Sequence, residues 1–253
     1  APHSLRAVTP GELDRVVAAA PVRSPVHIHV AEQTREVEEC VAWSGHRPVE
    51  WLLAHGTIDA RWCLVHATHM VEREVRALAA SGAVAGLAPT TEADLGDGTF
   101  PGVAYAGVGG LWGVGSDSNA IVDPFAELRQ LEYSQRLFWR RRNLMDHGHG
   151  ASIGAAMWLA AARGGAQACG RGTGAIEPGA NADLVVLNAE DPAFAGHRGD
   201  TSLDAAIFGP CRTPVRHTML AGRWVVRDGR HRDEEAVLQS FRRAIAGIAN
   251  GTT

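Results

Sequence analysis

Residues suited to metal and proton chemistry recur at separated points of this 253-residue chain. His27 and His29 stand two apart in His27-Ile28-His29. On a strand, positions i and i+2 share a face, so two imidazoles there could meet one metal ion; equally, one of them could be a hydrogen-bonded core histidine. Glu32 follows His29 by three positions. A carboxylate beside a metal ligand, but not bound to the metal, can carry a proton to and from water. The competing reading is a surface glutamate opening a helix whose acidic face continues in Glu36, Glu38 and Glu39. His66 closes the run Cys63-Leu64-Val65-His66, with His69 three residues on. Asp117 lies in Gly113-Val114-Gly115-Ser116-Asp117-Ser118-Asn119, where a carboxylate could bind metal, orient a water or cap the helix that follows.

Their weight comes from where they fall. Short β-like runs at residues 26–30, 62–65, 83–87 and 111–115 alternate with helical patterns. The helices are read at about 10–20, 33–43, 48–55, 71–80 and 124–139, the first opening on the capping-box pattern Thr9-Pro10-Gly11-Glu12. Such alternation predicts βα units on a parallel sheet, and in those folds functional residues gather at the C-terminal ends of strands. His29 with Glu32, His66 with His69, Thr90 with Thr91, and Asp117 all fall at or just past those four ends. Beyond residue 151 the pattern changes. Residues 152–162 read as an Ala-rich helix, 164–174 as a glycine-rich loop, 179–187 as a turn into a strand, 217–220 and 224–227 as two strands, and 234–248 as a terminal helix.

Composition narrows the function classes. A net charge of −4 and a pI near 6.3 argue against a nucleic-acid partner. All 24 basic residues are arginine, which removes a lysine Schiff base and a Walker-type phosphate lysine. The longest apolar stretch, residues 153–162, is about half the roughly 20 residues that span a bilayer, and the first ten residues lack the apolar core of a signal peptide. Cys40, Cys63, Cys169 and Cys211 form no CxxC pair, so the expectation is a reduced, cytoplasmic protein with buried thiols. Arg140-Arg141-Arg142 reads as a solvated helix end, His147 and His149 as a glycine-rich loop poorly organised for metal, and the seven tryptophans as packing residues.

The motifs His27–Glu32 (HIHVAE), Cys63–His69 (CLVHATH) and Gly113–Ser118 (GVGSDS) resemble the fifth, sixth and eighth barrel strands of the amidohydrolase superfamily. Gly174–Asn188 (GAIEPGANADLVVLN) is similar to that superfamily's return into its β-sandwich. More narrowly, Pro2–Val8 (PHSLRAV), the stretch 31–45, Arg61–His69 and Thr91–Gly98 (TEADLGDG) resemble the formimidoylglutamate deiminase family, over nearly the whole chain.

The resemblance implies an α/β fold: the C-terminal half of a (β/α)8 TIM-type barrel over residues 1–165, part of a small β-sandwich over 174–232 and a C-terminal helix over 233–253. It implies one Zn²⁺ per site, with iron or another divalent metal able to use the same ligands. His29 and Asp117 would hold the metal, and Asp117 would also accept the water's proton. Glu32 would shuttle protons to the leaving amine, and His66 would orient and polarise the attacking hydroxide. His3 and Arg6 would bind substrate, Arg6 pairing its carboxylate. The implied reaction is hydrolytic deimination of N-formimino-L-glutamate to N-formyl-L-glutamate and ammonia, in histidine degradation. The implied partner is that small molecule alone, with no nucleic acid and no membrane, and the fold is compatible with a homodimer.

The superfamily's first-strand His-x-His metal pair finds no counterpart ahead of His29, and only four of eight barrel strands are read here. The chain therefore reads as a C-terminal portion that binds zinc weakly and does not turn over by itself. Two other readings compete: a superfamily deaminase or chlorohydrolase acting on an aromatic base, which would not need His3 and Arg6, and a non-catalytic half-barrel binding module.

Overall fold

The structure, a computed structural model, describes residues 1–146, 152–211, 213–249 and 251. Thr9 caps α1 (Pro10–Ala19) as its sequence pattern predicts: the Glu12 N–H donates to the Thr9 hydroxyl at 3.4 Å, and the Glu12 carboxylate accepts the Thr9 N–H at 2.8 Å. There follow β1 (Val26–Val30), α2 (Thr34–Ser44), α3 (Pro48–His55), β2 (Trp62–His66), α4 (Glu72–Ser81), β3 (Val84–Leu87), α5 (Pro89–Leu95), α6 (Gly102–Gly107), β4 (Leu111–Val114) and α7 (Pro124–Trp139). The four strands pair in parallel in the order β1-β2-β3-β4, each next strand reached through at least one helix, as a parallel connection requires. The short helices α5 and α6 were not foreseen; Pro101 and the glycines around them hide the helical period.

Register sorts the side chains. Ile28, Leu64, Ala85 and Trp112 form one row facing the helices, and they join Leu13, Val37, Leu52, Leu78, Leu128 and Leu131 in the main core. Full burial of such a residue stabilises by about 1.5–3 kcal/mol. The opposite face carries the rows His27, Cys63, Val84, Leu111 and His29, Val65, Gly86, Gly113. His27 and His29 therefore do share a face.

That second face is covered by the end of α8 (Ile153–Ala168). Cys63, Val84 and Ala168 make a small cluster there, flanked by Val65 and Leu111. The Gln167 amide donates to Ala60 O at 3.0 Å and Gly82 O at 2.8 Å, just ahead of β2 and β3, and His27 Nε2 donates to Ala168 O at 2.8 Å. The helix runs six residues past its expected end, straight through Gly164-Gly165, which had read as loop. The glycines mark a close approach: a Cβ on Gly164 would lie 2.0 Å from Trp112 O.

A second sheet follows, antiparallel in the order β5-β6-β7-β8: β5 (Leu184–Leu187), then α9 (Thr201–Phe208), β6 (Val215–Leu220), β7 (Arg223–Arg227) and β8 (Arg230–His231). α9 packs back on α8 so closely that a Cβ on Gly154 would lie 2.6 Å from backbone atoms of Leu203 and Asp204, and the Gly154 N–H donates to Asp204 Oδ1 at 2.7 Å. The terminal α10 (Glu234–Ala249) buries none of its residues. No helix among the described residues is long and apolar enough to cross a membrane. All four cysteines are free, but only Cys40 and Cys63 are buried; Cys169 is exposed and Cys211 half-buried, which corrects the expectation of buried thiols throughout. Cys169 falls at the exposed cap that ends α8, beyond the packed turn. Arg140, Arg141 and Arg142 are exposed, as expected, whereas His147 and His149 lie outside the described residues.

Candidate metal centre

At the ends of β1, β2 and β4 the backbone turns through the left-handed region at non-glycine residues: Ala31 (φ 51°), His66 and Ala67 (φ 67° and 50°) and Asp117 (φ 47°). Such conformations cost about 1–3 kcal/mol each and persist where their surroundings hold them. At β1 the holder is Glu36. It is buried, and its carboxylate accepts the N–H of Ala31 at 2.8 Å and of Glu32 at 2.9 Å. At the start of α5 Glu92 accepts the Ala88 N–H, and Glu127 accepts the Thr90 N–H. The Thr91 hydroxyl donates to Ser116 O at 2.7 Å and so fixes the loop ahead of Asp117.

The reversals bring His29, His66 and Asp117 to one point, where one donor atom from each lies within 4.8 Å of the others. His29 Nδ1 donates to His3 O at 2.7 Å, and His66 Nδ1 donates to Glu92 Oε1 at 3.2 Å. Each ring therefore offers Nε2 to the centre. His29 Nε2 is 4.0 Å from Asp117 Oδ1, and His66 Nε2 is 3.7 Å from Asp117 Oδ2 and 3.7 Å from Glu32 Oε1. His66 is fully buried, and its Nε2 has no hydrogen-bond partner. A buried orphan ring nitrogen is costly, and this one is aimed between two carboxylates. Two imidazole nitrogens and a carboxylate are a donor set that suits zinc or another first-row divalent ion, so the residues present fit a metal. Burial by itself pulls the His66 pKa down; the hydrogen bond to Glu92 and the charges of Glu92, Glu32 and Asp117 outweigh it, and the net direction is up.

Each site residue named from the sequence can now be placed. His29 and Asp117 meet at the strand ends with His66. Glu32 is 9% exposed and faces His66 Nε2, so it is no surface residue opening an acidic face, and Glu36 beside it is buried too. Asp117 does not cap the following helix; Asp123 does, accepting the Phe125 N–H at 2.9 Å. His27 is tied to Ala168 O and stands apart from the centre, while His69 donates to Asp97 O at 2.8 Å. The segment around His3 runs beside β1 through a parallel bridge between Ser4 and His29, and the rings of His3 and His29 are 4.9 Å apart. Arg6 donates to Glu32 Oε2 at 2.6 Å and lies 3.8 Å from Glu36 Oε2. Sequence reasoning passed over Glu92. It stands inside the stretch Thr91–Gly98 that carried the resemblance, but nothing in its spacing distinguishes it from an exposed first-turn carboxylate.

The second sheet face and the end of α8 line an open pocket of about 300 Å³ that reaches the centre, with His27, His29, Val65, Gly86, Asp117 and Cys169 among its walls. The profile of the amidohydrolase family matches residues 1–225. The chain belongs to the amidohydrolase family. It is 50% identical over 239 residues to a formimidoylglutamate deiminase of Pseudomonas aeruginosa, covering 94% of this chain and 53% of that protein. An amidohydrolase of Brucella melitensis has a crystal structure similar to this one at a TM-score of 0.92 and 49% identity, over 98% of this chain and 54% of that one. An adenosine deaminase of Xanthomonas campestris with bound zinc matches at 0.84 and 27% identity, over 96% and 55%. The chain thus spans about half the length of the relatives it matches, and its parallel sheet corresponds to about half of their barrel.

Proposed function

We propose that this family member carries the hydrolytic deimination of N-formimino-L-glutamate, in which water replaces the imino nitrogen to give N-formyl-L-glutamate and ammonia. The observation that carries the reading is the convergence of His29, His66 and Asp117 with Glu32 against His66 Nε2. His29 and Asp117 would hold the metal. A zinc ion there would supply a nucleophilic hydroxide near neutral pH. Asp117 accepts a proton from the attacking water, and His66, held on its Nδ1 side, orients it. Glu32 moves a proton to the departing amine; it is close enough to His66 to act on the same small volume and buried enough to hold that proton out of bulk water. Arg6 and His3, at the rim, bind the substrate, Arg6 pairing its carboxylate. Free cysteines throughout fit a reducing, cytoplasmic setting.

We also propose that residues 1–253 by themselves turn over poorly. Among the described residues, His27 shares His-x-His spacing with His29 but is committed to Ala168 O, so it does not stand in for the family's first-strand pair. The test reads zinc uptake and ammonia release by the chain alone and by the chain joined to the remaining half of its Pseudomonas relative. The expected result is ammonia from N-formimino-L-glutamate in the joined protein, abolished by Glu32→Gln, with little from the chain alone. Preferential turnover of an aromatic base by the joined protein would overturn the substrate, and failure to take up zinc in either form would overturn the metal site.

A further inference from the structure

We infer that Glu92 is a positioning residue, one that decides which imidazole nitrogen His66 presents to the reacting centre. The inference rests on the role given to His66 above. Glu92 is buried at 4% exposure, and a single oxygen, Oε1, faces both the Ala88 N–H at 3.0 Å and His66 Nδ1 at 3.2 Å. An ionised carboxylate can only accept, so Nδ1 carries a ring hydrogen, and in the neutral ring Nε2 presents its lone pair. The reverse tautomer would set the Nδ1 lone pair against a buried negative charge. Nε2 is the atom left without a partner, 3.7 Å from both Glu32 Oε1 and Asp117 Oδ2.

His66 ends β2, and it and Ala67 both stand in the left-handed region, so a side-chain contact adds to the strand's hold on this ring. Helix α5 supplies it on a fixed base. Its Thr91 holds Ser116 O beside Asp117 while the adjacent Glu92 holds His66, so one turn of helix registers two of the three converging residues. His29 is aimed by the same logic through His3 O. A partner on the far nitrogen fixes orientation and tautomer and raises basicity, and loss of such a partner typically reduces activity or metal affinity about 10–100-fold.

The test uses the chain joined to the remaining half of its Pseudomonas relative and compares it with its Glu92→Gln and Glu92→Ala forms by ¹H–¹⁵N spectra of the histidine rings, alongside kcat and KM for ammonia release. The inference expects His66 as the Nδ1–H tautomer, its proton shifted downfield by the charged acceptor. Glu92→Gln keeps an oxygen acceptor in place, so the tautomer holds while that proton moves upfield. Glu92→Ala mixes the tautomers and lowers kcat about 10–100-fold with KM within about 2-fold, because the lost contact acts on orientation and not on substrate binding. An Nδ1–H resonance unchanged in Glu92→Gln overturns the inference, and so does an Nε2–H tautomer in the unsubstituted protein, whether or not Glu92→Ala folds. If the joined protein releases no ammonia from N-formimino-L-glutamate, the deiminase reading fails, and the ring spectra still decide the role of Glu92.

Discussion

Gly164 and Gly165 stand side by side in α8, and the same substitution should act on them with opposite sign. In a helix interior, alanine is normally worth about 0.5–1 kcal/mol over glycine, because glycine loses more conformational freedom on folding. A Cβ on Gly165 would meet nothing within 4 Å, so Gly165→Ala should realise that gain. A Cβ on Gly164 would lie 2.0 Å from Trp112 O and 2.5 Å from Trp112 C, against ordinary contacts of 3.4–4 Å. Both are backbone atoms of β4, with no flexible side chain to yield, so the helix must move by more than an ångström. Overpacking of this kind typically costs about 1–3 kcal/mol, which exceeds the propensity gain. At about 2–4 °C per kcal/mol for a chain of this size, Gly164→Ala should lower Tm by roughly 2–8 °C and Gly165→Ala should raise it by about 1–4 °C. Differential scanning calorimetry of the two variants against the parent reads this directly. A Gly164→Ala protein as stable as Gly165→Ala would mean that α8 does not pack backbone to backbone on β4. The account of why a glycine pair occurs in mid-helix would then be wrong.

Arg6→Gln removes a guanidinium that touches Glu32; if the same group also receives the substrate's carboxylate, KM for an acidic formimino substrate should rise about 10–100-fold, the value of a charged hydrogen bond, while a kcat loss with KM unchanged would restrict Arg6 to its contact with Glu32. Burial, helped by nearby Cys169, pushes the Cys63 thiol up to about 12, so iodoacetamide at pH 8 should alkylate exposed Cys169 and spare Cys63 until the protein is unfolded, as peptide mapping would show. Burial likewise raises the pKa of Glu127 despite its bonds to Thr90. With the folded value above the unfolded one, the charged form destabilises the fold at high pH, and that cost disappears as pH falls through the folded value. Glu127→Gln should therefore be neutral or stabilising at pH 8 and lose that advantage in acid, whereas Glu127→Leu should cost about 1–3 kcal/mol by orphaning the Thr90 N–H; chemical denaturation at the two pH values tests both.

The parallel strands and α7 were legible because their signals are local: β-branched runs bounded by turn residues, and the Pro124 start to a strongly periodic segment. His29, His66 and Asp117 were legible as strand-end residues, since the rule that sites gather at strand C-termini follows from topology. What was not legible depends on contacts between distant segments. Gly164-Gly165 reads as loop by propensity, and only the proximity of Trp112 O shows that the pair permits an approach of helix to strand. The tautomers of His29 and His66 depend on His3 O and Glu92, one contributed from 26 residues upstream and the other from 26 downstream.

The buried carboxylates make the general form of that difficulty plain. Glu36, Glu92 and Glu127 each accept a backbone N–H from a segment that follows a parallel strand, and Glu74 does the same for Val71 at the start of α4. In sequence each looks like an acidic residue in the first turn of a helix, which the helix dipole favours at any surface. Their burial shows a different purpose, which is to hold amides that the strand ladder leaves unpaired and, at Glu36, the left-handed residue Ala31 that ends β1. A surface glutamate could be exchanged for glutamine with little effect anywhere along the chain. Among these four, Glu92 alone also touches an imidazole of the centre. Glutamine substitution should therefore separate them: a stability change at Glu36 and Glu74, a neutral or stabilising effect at Glu127 at pH 8, and at Glu92 a change in the chemistry of His66 as well.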